Sequence, residues 1–204
     1  MKSKLRTGIL AVLGIMLIFS VPLMANTEEE PVEFQNRDVE LAIKQQLGKA
    51  MGDVYPSDLK ELKQLMIKRK NLEDLEWIKY CENLERLNFT DSEIKDLSSL
   101  SNLTNLERLV LVFNDISDLS PLSKLYSLEY VVIAGNPITD IQPLVDNFKV
   151  KENGEKIGLG ESDEVNITRN KLDLSEGSDA LQDIQTLIDR GVEVEYYPQK
   201  EESS

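Results

Sequence analysis

Few side chains in this chain could do chemistry, and nearly all of those are carboxylates. Histidine is absent, which removes Ser-His-Asp and Cys-His nucleophilic catalysis, the HExxH metalloprotease site and every zinc site with an imidazole ligand. Cys81 is the single cysteine, so neither an internal disulfide nor a thiolate metal cluster can form. Asp146, Glu152, Glu161, Asp163 and Glu164 crowd one stretch. They could supply a hydrolytic acid–base pair if two of them converged in a cleft that raised one pKa. A charged loop is more often simply solvated, so hydrolysis is the lesser reading. Asp74, Asp96, Asp118 and Asp140 recur every 22 residues and could pass for a ladder of divalent-cation ligands. An ion, however, needs ligands from several directions and not one straight file. Each of these aspartates precedes a Leu/Ile-x-x-Leu/Ile stretch, as in Asp118-Leu-Ser-Pro-Leu122. There an aspartate accepts backbone N–H bonds and starts a short helical turn, which is the role expected here. Lys156-Ile-Gly158-Leu-Gly160 holds a GxG with no helix in GxGxxG register behind it, so no nucleotide site, and no cofactor or metal, is expected.

The elements that must position these residues follow from the same interval. Leu62, Leu84, Leu106 and Leu128 are 22 apart, as are Leu65, Leu87, Leu109 and Val131, and Ile67, Phe89, Leu111 and Ile133. Leu72, Ile94, Ile116 and Ile138 continue the series, and so do Ile78, Leu100, Leu122 and Leu144. One such unit cannot bury its own apolar face, so successive units must stack into a solenoid. Stacking turns each position into a row of side chains about 4.8 Å apart. Lys70, Ser92, Asn114, Asn136 and Asn170 form the row where an amide can satisfy the backbone of the turn leaving each strand. Lys70 and Ser92 break the amide pattern, so the first repeats are expected to be wetter or less regular. Cys81 occupies the row of Leu103 and Leu125 and is expected to be a small buried apolar residue.

The pattern LxxLxLxxNxIxDLxPLxxLxx in residues 106–127 resembles the 22-residue leucine-rich repeat of the bacterial internalin type. Four such repeats cover 62–149. The resemblance implies an α/β leucine-rich-repeat solenoid with a curved parallel β-sheet on its concave face and a helical N-terminal cap. The flanks agree. Asn36 can cap a helix ending near Gly48, and Pro56-Ser57-Asp58-Leu59 can open a second short one, within a linker and cap spanning 26–61. Beyond 149 the period fails. Alternation around Asn153-Gly154 predicts a tight hairpin over 148–159, and the register returns at Val165, Ile167, Asn170 and Leu172. Residues 178–190 predict a helix with Leu181, Ile184, Leu187 and Ile188 on one face and Gly191 at its end. A strand over 192–197 completes an irregular last repeat and C-terminal cap, 150–197, and residues 198–204 are expected to be a disordered tail.

At the other end, Met1-Lys-Ser-Lys-Leu-Arg6 followed by an apolar run to Ala25 reads as a secretory signal peptide, 1–25, cleaved after Ala25. Leu23, three residues before the cut, is larger than usual there. The apolar run is also about 17 residues, the lower limit for crossing a bilayer, so an uncleaved N-terminal membrane anchor is the alternative to secretion. Loss of Lys2, Lys4 and Arg6 would take the formal charge from −14 to −17. So acidic a molecule is unsuited to nucleic acid, which calls for clustered Lys and Arg. A single domain, secreted or at the cell surface and monomeric, is expected.

Along each strand the core residues alternate with residues that face the concave side. Those rows read Gln64, Arg86, Arg108, Tyr130; then Met66, Asn88, Val110, Val132, Asn166; then Lys68, Thr90, Val112, Ala134, Thr168; and, at the strand edge, Arg69, Asp91, Phe113, Gly135, Arg169. Val110, Val112, Phe113, Tyr130 and Val132 are thereby gathered into an apolar patch on a surface that stacking does not bury. A contiguous patch of this kind marks a contact site. Arg86 and Arg108 beside an aromatic rim are the side chains favoured in protein interfaces. With Lys68 and Arg69 they form a basic strip on an acidic molecule. The seven residues Arg86, Arg108, Val110, Val112, Phe113, Tyr130 and Val132 are therefore expected to bind a protein partner carrying an acidic patch. A passive scaffold, tethered to the membrane, is the alternative.

Overall fold

A computed structural model describes residues 29–72 and 74–199. The expected signal peptide and the last five tail residues lie outside the described residues. No helix among the described residues is long and apolar enough to cross a membrane.

A stack of strands carries the molecule. After helices α1 (Arg37–Gln46) and α2 (Pro56–Lys60) come strands β1 (Gln64–Lys68), β2 (Arg86–Thr90), β3 (Arg108–Val110) and β4 (Tyr130–Val132). Helix α3 (Gln142–Asp146) leads into a hairpin of β5 (Phe148–Val150) and β6 (Lys156–Gly158). Strand β7 (Glu164–Asn166), helix α4 (Asp179–Asp189) and strand β8 (Glu193–Glu195) follow. The main sheet has the order β1-β2-β3-β4-β7-β8, and every pair in it is parallel. Leu65 pairs with Leu87, Leu87 with Leu109 and Leu109 with Val131, so the 22-residue interval is the sheet register. Val131 then pairs with Val165, 34 positions on, which makes the hairpin an insertion of 12 residues. The inward rows, including Phe89, Leu111 and Ile133, are sealed in one continuous core. Cys81 is buried there too, and burial pushes its thiol up to about 12, the state of an inert core residue.

Within each coil two polar rows do the backbone's work. The carboxylates of Asp74, Asp96, Asp118 and Asp140 accept the N–H of the residue two further on, each at 2.8 Å, and so start the short turns on the back of the solenoid. Asp173 does the same for Ser175. Asn136 is fully buried, takes the Ile116 N–H at 3.2 Å and donates to the carbonyls of Leu111 and Ile133 at 2.9 and 2.8 Å. Asn114 and Asn170 repeat the arrangement. Ser92 is not the wet site expected of it. It is fully buried, its hydroxyl donates to the Thr90 carbonyl, and Asn114 from the next coil accepts its N–H. A small side chain suffices because the neighbouring amide supplies the missing bonds. Lys70 leaves the row altogether and reaches Asp38 of α1 at 3.0 Å.

The ends are closed differently. Asn36 caps α1 by accepting the Asp38 N–H, and Phe34 and Trp77 carry an aromatic stack on to Phe89. Helix α1 then guards the sheet edge: the Gln46 side-chain amide donates to the Met66 carbonyl at 3.0 Å and accepts the Met66 N–H at 2.8 Å, standing in for a missing strand. The hairpin is pinned by buried Asn147, which donates to Leu122 and Leu125 carbonyls and accepts the Leu159 N–H. Two residues of the expected tail are ordered: Arg169 donates its N–H to Pro198, and Gln199 donates to the Ile167 carbonyl.

Helix α4 corrects the expected buried face. Ala180, Asp183, Ile184 and Leu187 turn inward, while Leu181 is only half-buried and Ile188 is 40% exposed. An aspartate inside the buried stripe is what misled the periodicity. Burial, with Asp140, Asp179 and Asp146 nearby, raises the Asp183 pKa. A raised carboxyl pKa means that the folded state holds its proton more tightly than the unfolded one. The resulting penalty is absent below about pH 3.9 and present at neutral pH. Asp183→Asn is therefore expected to raise Tm at pH 7 by about 2–4 °C, on the order of 1 kcal/mol for a chain of this size. The gain should fade as the pH falls toward 4, which thermal melts across that range would measure. A variant less stable at every pH would contradict this account.

Candidate functional site

The face of the sheet opposite the core collects the candidate binding residues. Arg86 and Arg108 are direct register partners, and Arg108 in turn faces Tyr130. The Arg108 guanidinium lies over the Tyr130 ring, 3.9 Å from its centroid, a cation–π contact that holds the charge at the surface. Val110 and Val132 pair one row on; both are half-buried, as are Val112 and Tyr130. Among the described residues neither Arg86 nor Arg108 has an ion-pair partner, although Lys63 and Arg69 do. Arg69 stands 3.6 Å from Asp91, so the expected basic strip is partly neutralised at that end.

The outermost row has unusual backbone. Arg69, Asp91, Phe113, Gly135 and Arg169 all have φ between 55° and 79°, because the chain leaves each strand through a left-handed residue. The N–H of each of these residues bonds a carbonyl of the coil that follows in the stack. A bulky aromatic rarely occupies that region, yet Phe113 does and remains 49% exposed. Its ring rests on Gly135: a Cβ there would stand 2.4 Å from Phe113 Cδ1. The glycine is thus a seat for the ring.

The solenoid has a leucine-rich-repeat fold. Residues 104–146 match the family model "Leucine Rich repeats (2 copies)". An internalin (inlF) from Listeria monocytogenes str. 4b F2365 superposes with a TM-score of 0.57 at 21% identity, over 86% of this chain and 60% of that one. This chain therefore spans less than two thirds of that internalin. An internalin C2 from the same strain aligns over 82% of this chain and 93% of that one at 18% identity, with a TM-score of only 0.38. No curated protein sequence matches the chain.

The leucine-rich-repeat sheet also holds three carboxylates, Glu164, Glu193 and Glu195, that the counted rows left out. Register continues the first concave row from Tyr130 to Glu164 and Glu193, and the second from Val132 to Asn166 and Glu195. One end of the face is thus cationic, the middle apolar and the other end anionic. At the cationic end, Ala42, Gln45 and Gln46 of α1 rise beside Met66, Arg86, Arg108 and Val110 to close a groove of about 620 Å³. Counting could have reached Glu164 from Val165, but helix α4 interrupts the period before Glu193.

The hydrolase candidates do not gather as a set. Glu161 and Asp163 line a groove of about 410 Å³ beside the hairpin with Asp189 and Arg190. Burial, with Glu129 nearby, raises the Asp163 pKa, but its carboxylate is engaged at 2.8 Å with the Gly160 N–H in a turn. Asp146 accepts from Gln142, Glu152 is exposed in the hairpin turn, and Glu164 belongs to the concave face.

Proposed function

We propose that this chain is a binding module, exported by a bacterial cell, that recognises a protein partner through the concave sheet face. Arg86, Arg108, Val110, Val112, Phe113, Tyr130 and Val132 make the contact. The observation that carries the reading is Phe113, a half-exposed aromatic in left-handed backbone with a glycine seat beneath it. A strained exposed aromatic costs on the order of 1 kcal/mol, and strand propensity gives no reason for it. The unpaired arginines beside it favour a partner with carboxylates at that end. Residues 1–25 act as the export signal, the protein works outside the cell as a monomer, and it needs no catalytic group or cofactor.

Capture of the partner by the wild-type chain and by a Val110→Asp, Phe113→Asp, Tyr130→Ala variant tests this. Those side chains lie on the surface, so the fold is expected to survive. Affinity should fall at least about a hundredfold, as expected when clustered aromatic and apolar anchors are lost. Equal capture by both proteins would refute the site.

A further inference from the structure

The concave face has direction. From β2 to β8 it runs from two arginines, across Val110, Val132 and Tyr130, to Glu164, Glu193 and Glu195. Helix α1 stands as a wall at the cationic end, pinned to the Met66 backbone by Gln46. A chain laid across the strands from the acidic end therefore reaches a closed end at the arginines, where an end of chain fits better than a continuing one.

We propose that the groove beneath α1 captures the free C-terminal carboxylate of a partner polypeptide. This rests on the concave-face reading and specifies the occupant. The carboxylate sits between Arg86 and Arg108, whose forked N–H groups suit a planar carboxylate. The partner's last apolar side chain lies on Met66 and Val110, with Ala42 of α1 beside them in the groove. With strands about 4.8 Å apart, the distance from the arginine pair to β8 is about 17 Å, or five extended residues at roughly 3.3 Å each. A basic residue is thus required about five positions before the terminus, opposite Glu193 and Glu195. The Arg108–Tyr130 contact keeps one guanidinium in place before the ligand arrives.

Fluorescein-labelled Lys-Lys-Ser-Thr-Val-Leu with a free carboxylate, the same peptide as its C-terminal amide, and a version with Glu-Glu in place of Lys-Lys are the probes. They are titrated by anisotropy against the intact chain. The free acid should saturate at or below millimolar concentration. The amide and the Glu-Glu peptide should each bind at least about tenfold more weakly, the loss of one charge-assisted contact. Arg86→Gln with Arg108→Gln should weaken the free acid at least about tenfold more than it weakens the amide, bringing the two within twofold of one another in that variant, a coupling that a merely structural role would not produce. Glu193→Gln with Glu195→Gln should remove the preference for Lys-Lys over Glu-Glu. Absence of saturable binding by the free acid, or acid and amide within twofold of one another, overturns the proposal. Should both bind equally and both be lost in the Val110→Asp, Phe113→Asp, Tyr130→Ala variant, terminal capture falls and concave recognition stands. Binding indifferent to that variant defeats both.

Discussion

Asn136→Ala is expected to lower stability by about 3–5 kcal/mol, a fall of about 6–20 °C in Tm, read from thermal or urea unfolding. The residue is fully buried, and its amide serves one N–H and two carbonyls across two adjacent coils. Removing it strands those groups without water, and each unsatisfied group costs about 1–3 kcal/mol. The loss is amplified by architecture. Coils in a solenoid contact only their neighbours, so a defect in a central coil weakens the coupling between the two halves. Asn105→Ala makes the control: its exposed amide donates one bond to the Glu82 carbonyl at 3.0 Å, and its loss should cost under about 1 kcal/mol. Similar losses from the two variants would show that the amide row is not what holds the turns.

Gly135→Ala should affect binding more than stability. The position has φ +79°, where an added Cβ costs about 1–2 kcal/mol of backbone strain. The Cβ would also overlap the Phe113 ring, whose far side is open to solvent, so the ring is displaced outward instead of the coil breaking. Partner affinity should then fall nearly as far as in Phe113→Ala, and the double variant should bind no worse than either alone, since both remove the same feature. Affinity losses that add would mean that the glycine does not act through the ring.

The repeat was legible because stacked coils impose one length on the chain, and a row of buried leucines cannot drift without exposing apolar surface. The Asp and Asn rows were legible for a related reason: the backbone they satisfy recurs with the coil. Asp183 was not, since a charged residue in a buried helix stripe looks from sequence like a boundary, and the predicted face was rotated toward Leu181 and Ile188. Ser92 looked solvated because its compensation comes from Asn114, one coil away. Of the candidate site, the basic and apolar parts lie on strands spaced by the period and could be counted. Of the acidic end, Glu164 adjoins Val165, where the register returns, but Glu193 and Glu195 could not be counted, because helix α4 stands between them and the last recurring row. Nor does any pattern of residue types announce that Gln46 closes the groove, which depends on the angle at which α1 meets the sheet edge.

The face itself is tested most directly by photo-cross-linking from single benzophenone-bearing positions in the intact chain. One probe replaces Val112 on the concave sheet, and another replaces exposed Lys124 on the back of the same coil. The expected result is partner adducts from Val112 and none from Lys124. Adducts from Lys124 alone would contradict recognition through the concave sheet.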